Sequence, residues 1–251
     1  MKSKSSVSIR SYSEKALPHL GGLIEKNEKV LNSVVARLVS DVTQKKSLFV
    51  FGSGHSGLFP LELYHRAGGA SFLIPVVADY LLPSAGPPVV RVLERTPGAA
   101  NALLNRAEPR AGEMIWISSQ SGVNAAVVDF ALEAKKKGLH TVAFTSVVHS
   151  SAVGSRHSSG KRLFEVCDEV VDLGGYVGDA CVTTSEIKGF QAGPLSTLGS
   201  VFLGHSILVA ACAELEAAGV HCVYTSVNTP EGEERNREIE KVAAVRDPLL
   251  R

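Results

Sequence analysis

Apolar residues in residues 11–45 recur at three- and four-residue steps, a spacing that places them on one face of a helix. The positions that carry this pattern are Leu20, Leu23, Ile24, Leu31, Val34, Val35, Leu38 and Val42. Gly21 and Gly22 interrupt the segment, and glycine pairs weaken helices. The pattern therefore predicts an N-terminal helical segment divided into two helices.

Beyond residue 45 the pattern changes to short, mostly unalternating apolar runs, which are typical of strands covered on both faces. These runs are Leu48–Phe51, Phe72–Val77, Val89–Leu93, Met114–Ile117, Thr141–Phe144 and Glu169–Leu173. Helical patterns lie between them, in the stretch up to Ala67, in Ala99–Arg106 and in Val123–Lys137. Strands alternating with helices predict an α/β fold built on a doubly wound parallel sheet.

The segment Gly189–Ala213 contains no Asp, Glu, Lys or Arg and is long enough to span a membrane. Gln191, Gly193 and Pro194 interrupt its first part, so we interpret the remainder as a buried or interface helix, Leu195–Ala217. A last strand is predicted at Val220–Tyr224, followed by a charged tail over residues 229–251. The whole chain, residues 1–251, is expected to form one domain.

Charge and cysteine content narrow the possible partners. The 251 residues include 26 Lys and Arg and 25 Asp and Glu, a net charge of +1 that gives no basic field for nucleic acid. The four cysteines form no CxxC pair and are expected to be reduced thiols. Residues 1–10 are polar and do not resemble a secretory signal. We therefore expect a cytoplasmic protein that binds neither nucleic acid nor membrane.

Two loops rich in glycine and serine follow predicted strands and precede helices. The first loop is Gly52–Gly57 and the second loop is Ser118–Gly122. Ligands of parallel sheets bind beyond the carboxyl ends of the strands, and free amides at a helix N-terminus favour a phosphate dianion. Each loop alone is more often an N-cap, but two in one sheet favour a phosphate site.

The first loop also matches the dinucleotide pattern G-x-G-x-x-G through Gly52, Gly54 and Gly57. Asp79 follows a predicted strand, roughly where the acid that binds a ribose belongs. An NAD(P)-dependent oxidoreductase is therefore an alternative. The long preceding helical region and the second loop have no place in that fingerprint.

The two loops, Phe51-Gly-Ser-Gly-His-Ser56 and Ile117-Ser-Ser-Gln-Ser-Gly122, resemble those of the sugar isomerase (SIS) domain family. The run from Ala134 through Lys135–Lys137 to Thr141–Ser146 is also similar to that family. Four further segments resemble a subgroup of stand-alone SIS proteins: Arg66–Gly69, Ser155–Lys161, Gly193–Thr197 and Ser226–Asn228. The resemblance implies a flavodoxin-like sheet, a homodimer or homotetramer, and a sugar phosphate ligand without a cofactor.

The resemblance also implies roles for individual residues. The hydroxyls of Ser56, Ser119 and Ser121 would bind phosphate, and Ser53 would lie near the sugar. The substrate-binding set carried over from the two loops is Ser53, Gly54, His55, Ser56, Ser118, Ser119, Gln120, Ser121 and Asn124. Phosphoheptose isomerases of this family use a Glu on the helix after the first loop and a His on the last long helix. Glu62, one turn earlier on the same face, and His205 would take these roles.

Proton transfer next to a sugar carbonyl needs a base at the C2 proton and an acid at the carbonyl oxygen. Glu62 lies among apolar residues, where burial would raise its pKa. His65, three residues later, would share its helix face, and His157 could enter the site from a neighbouring subunit. The spacing of His, Asp and Glu suggests no metal site.

The sequence thus predicts an isomerase or lyase that acts on an aldose or amino sugar 6-phosphate by abstracting the C2 proton. Return of the proton to C1 gives isomerisation, whereas loss of a substituent at C3 gives β-elimination. Two alternatives remain: a non-catalytic sensor of phosphosugars, and the oxidoreductase described above.

Overall fold

Five parallel strands form the central sheet of this protein, for which the computed structural model describes residues 6–251. Residues 1–5 of the polar N-terminal segment lie outside the described residues. The strands of the sheet are β1 (Leu48–Gly52), β2 (Leu73–Val76), β3 (Met114–Ser118), β4 (His140–Thr145) and β5 (Glu169–Asp172). A separate antiparallel pair is formed by β6 (Ala180–Thr183) and β7 (Gln191–Pro194).

Helices connect and cover the strands. They are α1 (Ser13–Thr43), α2 (Leu58–Leu63), α3 (Pro87–Leu93), α4 (Asn101–Ala107), α5 (Ala125–Lys136), α6 (Val147–Ala152), α7 (Leu163–Val166), α8 (Ser196–Ala217) and α9 (Gly232–Ala243). A 3₁₀ turn, Gly54–Gly57, joins β1 to α2.

The order of strands in the sheet is β2-β1-β3-β4-β5, and all neighbouring pairs are parallel. This is the flavodoxin-like order, in which the chain reverses its direction of progress between β1 and β3. The prediction of a doubly wound α/β fold is therefore confirmed. The order also places the loops that follow β1 and β3 next to each other, at the point where such sheets bind ligands.

Alternate residues of each strand face opposite layers of the core, which explains the continuous apolar runs in the sequence. Leu48 and Val50 belong to a core shared with α1, α2 and α8. Phe49 and Phe51 belong to the opposite core, shared with α4, α5 and α7, and Phe51 stacks on Phe130 at a centroid distance of 3.8 Å. Helices on both faces thus hold the strand ends in place.

The N-terminal helix is not divided at Gly21 and Gly22, contrary to the prediction. Both glycines lie on the exposed face of α1. Leu23, Leu31 and Leu38 on the opposite face are buried, and their packing outweighs a cost of about 1 kcal/mol for each glycine.

The run Val89–Leu93 is not a strand, which corrects a second prediction. It belongs to α3, which starts with Pro87 and Pro88 directly after Gly86. Proline is favoured at the first helical position, where its missing N–H costs nothing. Only Val90 of α3 is fully buried, and Leu93 packs against the core at the end of the helix, so the apolar run belongs to a surface helix with two inward residues.

The helical stretch after the first loop is also shorter than predicted, because α2 ends at Leu63 and not near Ala67. Val220–Tyr224 forms no strand, and only Val223 makes an isolated bridge, with Ala70. The charged tail is largely helical, as α9, and its Asn236 exchanges two hydrogen bonds with the backbone of Thr225 (2.7 and 2.8 Å).

The predicted buried or interface helix, Leu195–Ala217, is α8, which begins one residue later at Ser196. Among the described residues, α8 is the single helix that is both long enough and apolar enough to cross a membrane. Half of its most apolar stretch is buried inside the protein. Its residues Leu203, Ile207 and Leu215 lie in the core together with α1 and α2. This packing is that of a core helix of the fold.

Candidate functional site

The first and second loops line one cavity of about 540 Å³ at the carboxyl edge of the sheet. They meet there because Gly52, the last residue of β1, lies in register with Ser118, the last residue of β3. The loop residues that face this cavity are Ser53, Gly54, His55, Ser56, Ser119, Gln120, Ser121 and Asn124. The structure thus brings together all the loop residues singled out from the sequence except Ser118.

Ser118 points away from this cavity, towards α8. It is 1% exposed, and its Oγ lies 3.3 Å from the Oγ of Ser200. Residues at the end of a strand alternate between the two faces of the sheet, so Ser118 and Ser119 have different surroundings. Ser118 therefore links the sheet to α8 and does not line the cavity.

Three arginines that the sequence analysis did not single out also line the cavity: Arg91, Arg95 and Arg156. Arg156 donates from Nη1 to the Oδ1 of Asn124 (2.9 Å), and its backbone N–H donates to the Val123 carbonyl (2.8 Å). These bonds hold Arg156 beside the N-terminus of α5, where the helix dipole also favours an anion. The cavity therefore offers hydroxyls, guanidinium groups and a helix N-terminus to a phosphate.

Glu94, at the end of α3, lies against the start of the first loop. The Oγ of Ser53 donates a hydrogen bond of 3.0 Å to its Oε1. Burial raises the pKa of Glu94, and the bond from Ser53 offsets part of that rise. A Cβ on Gly54, which has a φ of +58°, would lie 2.7 Å from the same carboxylate oxygen. The first loop is thus shaped around this carboxylate.

Asp179 connects the cavity to the start of α8. Its carboxylate accepts hydrogen bonds from the backbone N–H groups of Leu195 (3.1 Å) and Ser196 (2.9 Å) and from the Ser196 hydroxyl (2.6 Å). Gln120 donates to the same carboxylate at 3.4 Å. Asp179 therefore positions both the second loop and the N-terminus of α8.

The bond to Asp179 uses the Nε2 of Gln120 and leaves the side-chain oxygen of Gln120 free to accept a hydrogen bond. Its Oε1 is buried and has no hydrogen-bond partner among the residues that the structure describes. An acceptor of this kind is available to a donor group of a bound molecule.

Glu62 lines a second, adjacent cavity of about 590 Å³, on the other side of Pro194 and Thr197, which line both cavities. The Nε2 of His205 lies 3.7 Å from the Glu62 Oε1, and Arg66 forms an ion pair with the same carboxylate. Burial lowers the pKa of His205, as does the charge of Arg66. The two residues that the family resemblance singled out on separate helices are thus neighbours.

The close approach of α2 and α8 has a specific cause. A Cβ on Gly204 would lie 2.5 Å from the Phe59 ring, so a larger residue could not occupy that position without movement. Glycine at the crossing lets the two helix backbones come together, which places His205 beside Glu62.

The remaining histidines have different surroundings. His65 does not share a helix face with Glu62, because α2 ends at Leu63 and His65 has a φ of +40°. Its Nε2 bonds Glu240 at 2.9 Å, and its ring contacts Tyr224. This geometry corrects the expected i, i+3 relation and places His65 at the contact with α9.

His157 lies outside both cavities. Its Nε2 bonds Asp129 (2.9 Å) and its Nδ1 bonds Ser159 (2.7 Å), so both ring nitrogens have partners within the chain. His55 faces the first cavity, as the loop pattern suggested.

Two predictions from the sequence concern a metal site and the acid of a dinucleotide-binding fold. No group of three or more His, Cys, Asp or Glu side chains that could bind a metal lies within residues 6–251. Asp79, the acid expected for a dinucleotide ribose, is exposed and does not line the cavity. The strand order also differs from that of dinucleotide-binding folds, which disfavours the oxidoreductase alternative.

Comparison with known proteins agrees with the geometry. The family model described as the SIS domain matches residues 11–146, more than half of the chain. The chain belongs to the SIS domain family. The resemblance inferred from its two loops is thereby confirmed.

Relatives of this SIS domain protein include a UPF0309 protein of Shouchella clausii (strain KSM-K16). It is 34% identical over 230 residues, which cover 91% of this chain and 93% of that one. A phosphoheptose isomerase from Francisella tularensis is structurally similar, with a TM-score of 0.54 at 11% identity, over 82% of this chain and 96% of that one. A protein of E. coli CFT073, solved in complex with a sugar phosphate, has a TM-score of 0.51 at 18% identity, over 83% and 89% of the two chains. These structural matches establish the SIS fold.

Proposed function

We propose that this SIS domain protein binds an aldose or amino sugar 6-phosphate between its first and second loops and removes the proton at C2. The observation that carries the proposal is that two loops, each suited to phosphate, line a single cavity together with three arginines. Hydroxyls, guanidinium groups and a helix N-terminus are the groups that bind a phosphate dianion. Two structural neighbours, a phosphoheptose isomerase and the E. coli protein in complex with a sugar phosphate, support this substrate class.

In this proposal the sugar extends from the first cavity past Pro194 and Thr197, which line both cavities, to Glu62 in the second cavity. Glu62 and the neighbouring His205 supply the chemistry. The Glu62 carboxylate takes the C2 proton, and the electron pair of the C–H bond forms the enediol double bond. The carbonyl oxygen takes a proton from a neighbouring acid, for which His205, 3.7 Å from Glu62, is the candidate. Burial and the charge of Arg66 lower the pKa of His205, which favours the neutral imidazole, and its N–H can donate a hydrogen bond to that oxygen.

The enediol has two outcomes. Proton return to C1 yields a ketose phosphate, and departure of the C3 oxygen substituent yields an unsaturated product. Both outcomes begin with the same C2 proton transfer, so the proposal covers an isomerase and a lyase.

Exchange of the C2 proton with solvent tests this proposal. Thermal shift against a panel of sugar phosphates identifies a ligand, and NMR in D₂O then follows deuterium at C2 and the product formed. Glu62→Gln should lower the rate of C2 proton exchange by about 100-fold or more, while the ligand still binds. Glu28→Gln, an exposed glutamate of α1, serves as the matched control and should behave like wild type.

Other results would favour the alternatives. Wild-type protein that binds a sugar phosphate but exchanges no C2 proton is a sensor. Protein that binds NADH and no sugar phosphate is an oxidoreductase. Unchanged exchange in Glu62→Gln would remove Glu62 from the role of base.

We also propose that two copies of the chain pair through the outer faces of α2 and α8. Leu58, Leu61 and Val209 are 41%, 42% and 65% exposed there, and the first two line the second cavity beside Glu62. A partner would cover this cavity and shelter the Glu62 carboxylate from water.

The free thiols of all four cysteines support function in a reducing compartment such as the cytoplasm.

Sedimentation tests this assembly. The wild type is expected to sediment as a dimer or tetramer, and Val209→Glu should shift it to monomer and reduce C2 exchange. Val242→Glu, on the exposed face of α9, is the control and should change neither. A monomeric wild type would refute the pairing.

A further inference from the structure

Glu94 is an acidic group in a cavity otherwise suited to an anion, and the phosphate contacts proposed above do not use it. Arg91, Arg95 and Arg156 bring positive charge to the cavity, and its other carboxylate, Asp179, is occupied at the N-terminus of α8. A carboxylate beside a phosphate dianion would repel it. Glu94 must therefore face a part of the ligand other than the phosphate.

The position of Glu94 within the cavity agrees with this. Its only side-chain hydrogen bond among the described residues comes from Ser53, on the first residue after β1, and leaves acceptor capacity on the carboxylate. Ser53 itself is 9% exposed, and Glu94 is half-buried. A half-buried carboxylate with free acceptor sites is a strong partner for the hydroxyl and amine donors that line a sugar ring.

The backbone of the first loop keeps the carboxylate in this place. Gly54 leaves the space that the Glu94 Oε1 occupies, since a Cβ there would lie 2.7 Å from that oxygen. Glu94 is also fixed through its own backbone, because its carbonyl accepts a hydrogen bond from the Ala126 N–H of α5 (3.1 Å). One residue thus contacts both the first loop and the helix that follows the second loop.

We propose that Glu94 is a specificity-determining residue of this cavity, whose carboxylate accepts a hydrogen bond from a hydroxyl or amine of the bound sugar phosphate. The inference rests on the proposed function, because it assumes that the two loops hold the phosphate. It adds that the cavity distinguishes a sugar phosphate from phosphate alone, and that α3 supplies the group that does so.

The test compares sugar phosphates with inorganic phosphate by calorimetry on the full-length protein. Glu94→Gln should weaken binding of the sugar phosphate that binds wild type best by about tenfold or more, the loss expected for a hydrogen bond to a charged acceptor. It should leave inorganic phosphate binding unchanged or tighter, because a negative charge is removed. Glu133→Gln, on α5 outside the cavity, changes the charge equally and should have no effect.

A set of deoxy sugar phosphates gives a readout that does not depend on the variant alone. Loss of the hydroxyl that Glu94 binds should cost wild type about as much as Glu94→Gln does, and should cost the variant little. If every deoxy analogue weakens the two proteins equally, the proposal is wrong. The proposal is also wrong if wild type binds every deoxy sugar phosphate as tightly as the parent compound.

The outcomes separate this inference from the function beneath it. If wild type binds inorganic phosphate but prefers no sugar phosphate, both fail. If wild type prefers a sugar phosphate and Glu94→Gln binds it equally well, only the role of Glu94 fails. Equal weakening of inorganic phosphate and sugar phosphate by Glu94→Gln would also overturn it, since Glu94 would then act by shaping the first loop.

Discussion

At the scale of single residues, Glu216 shows how one carboxylate fixes the end of a helix to the segment that follows it. It accepts hydrogen bonds from the backbone N–H groups of Cys222 (2.9 Å) and Val223 (3.1 Å) and from the side chains of His221 and Arg235 (both 2.8 Å). Partial burial acts to raise the pKa of Glu216, but these donors outweigh it and lower the pKa to about 2.

The lowered pKa gives a pH-dependent contribution to stability. Because the pKa of Glu216 lies below its ordinary value of 4.5, its contribution is complete above about pH 4.5 and is lost as the pH falls towards 2. We expect Glu216→Gln to lower the free energy of unfolding by about 1–3 kcal/mol at pH 7 and by less at pH 3. Urea unfolding at both pH values measures this, with Glu214→Gln on the same helix as the control. An equal loss at both pH values would contradict it.

Also at this scale, the residues of the site differ in how far the sequence could predict them. Ser53, Ser56, Ser119 and Ser121 were predicted to lie at the site because small polar residues directly after apolar runs indicate loops at strand ends. Glu94 was missed because it follows a run of valines that resembles a strand.

Arg156 and Asp179 could not be predicted from local pattern. They come from distant parts of the chain, and only the folded arrangement places them beside the two loops.

At the scale of elements, glycines in two helices have opposite consequences. Gly21 and Gly22 lie on the exposed face of α1, where a Cβ would meet no atom within 4 Å. Replacing each with alanine should raise the free energy of unfolding by about 0.5–1 kcal/mol, because alanine loses less backbone entropy on folding. Gly204→Ala should instead lower it by about 1–3 kcal/mol, since its Cβ would collide with Phe59.

Denaturant unfolding of the three variants checks this contrast. Destabilisation by Gly21→Ala and Gly22→Ala would mean that this face of α1 is covered in the assembled protein. A neutral Gly204→Ala would mean that α2 and α8 are free to separate.

Helices and strands were predicted most accurately where burial on both sides determined the pattern, as in β1, β3 and β4. Predictions failed where tertiary contacts override local preference. The glycine pair did not divide α1, because its buried leucines hold it together. The β6–β7 hairpin was not predicted, because its strands are short and only partly buried.

At the scale of the whole molecule, a buried ion pair joins the C-terminal segment to the sheet. The Glu113 side chain directly before β3 is 1% exposed and lies 2.8 Å from Nη2 of Arg246, which follows α9. Glu113 also accepts hydrogen bonds from the backbone N–H groups of Ser47 and Arg110. The pair therefore connects the end of the chain to the loops before β1 and β3.

Removing Arg246 should leave the buried Glu113 carboxylate without a counter-charge, with only its two backbone N–H donors. We expect Arg246→Met to lower the free energy of unfolding by about 3 kcal/mol, and the double variant Glu113→Gln/Arg246→Met to recover part of the loss. Arg237→Met, which removes an exposed ion pair with Glu233, is the control and should cost less than about 1 kcal/mol. Thermal or urea unfolding of the four proteins measures the difference. Equal effects of Arg246→Met and Arg237→Met would refute a special role for the C-terminal segment.

The shallow attachment of α3 has a consequence for how this architecture can diversify. Val90 is the one fully buried residue of that helix and Leu93 packs against the core beside it, whereas every residue of β1 and β3 is buried. Substitution of a few surface residues of α3 would change one wall of the first cavity without disturbing the strands that carry the two loops proposed to bind phosphate. We therefore expect substitutions on the exposed face of α3 to alter ligand selectivity with less loss of stability than substitutions in β1 or β3.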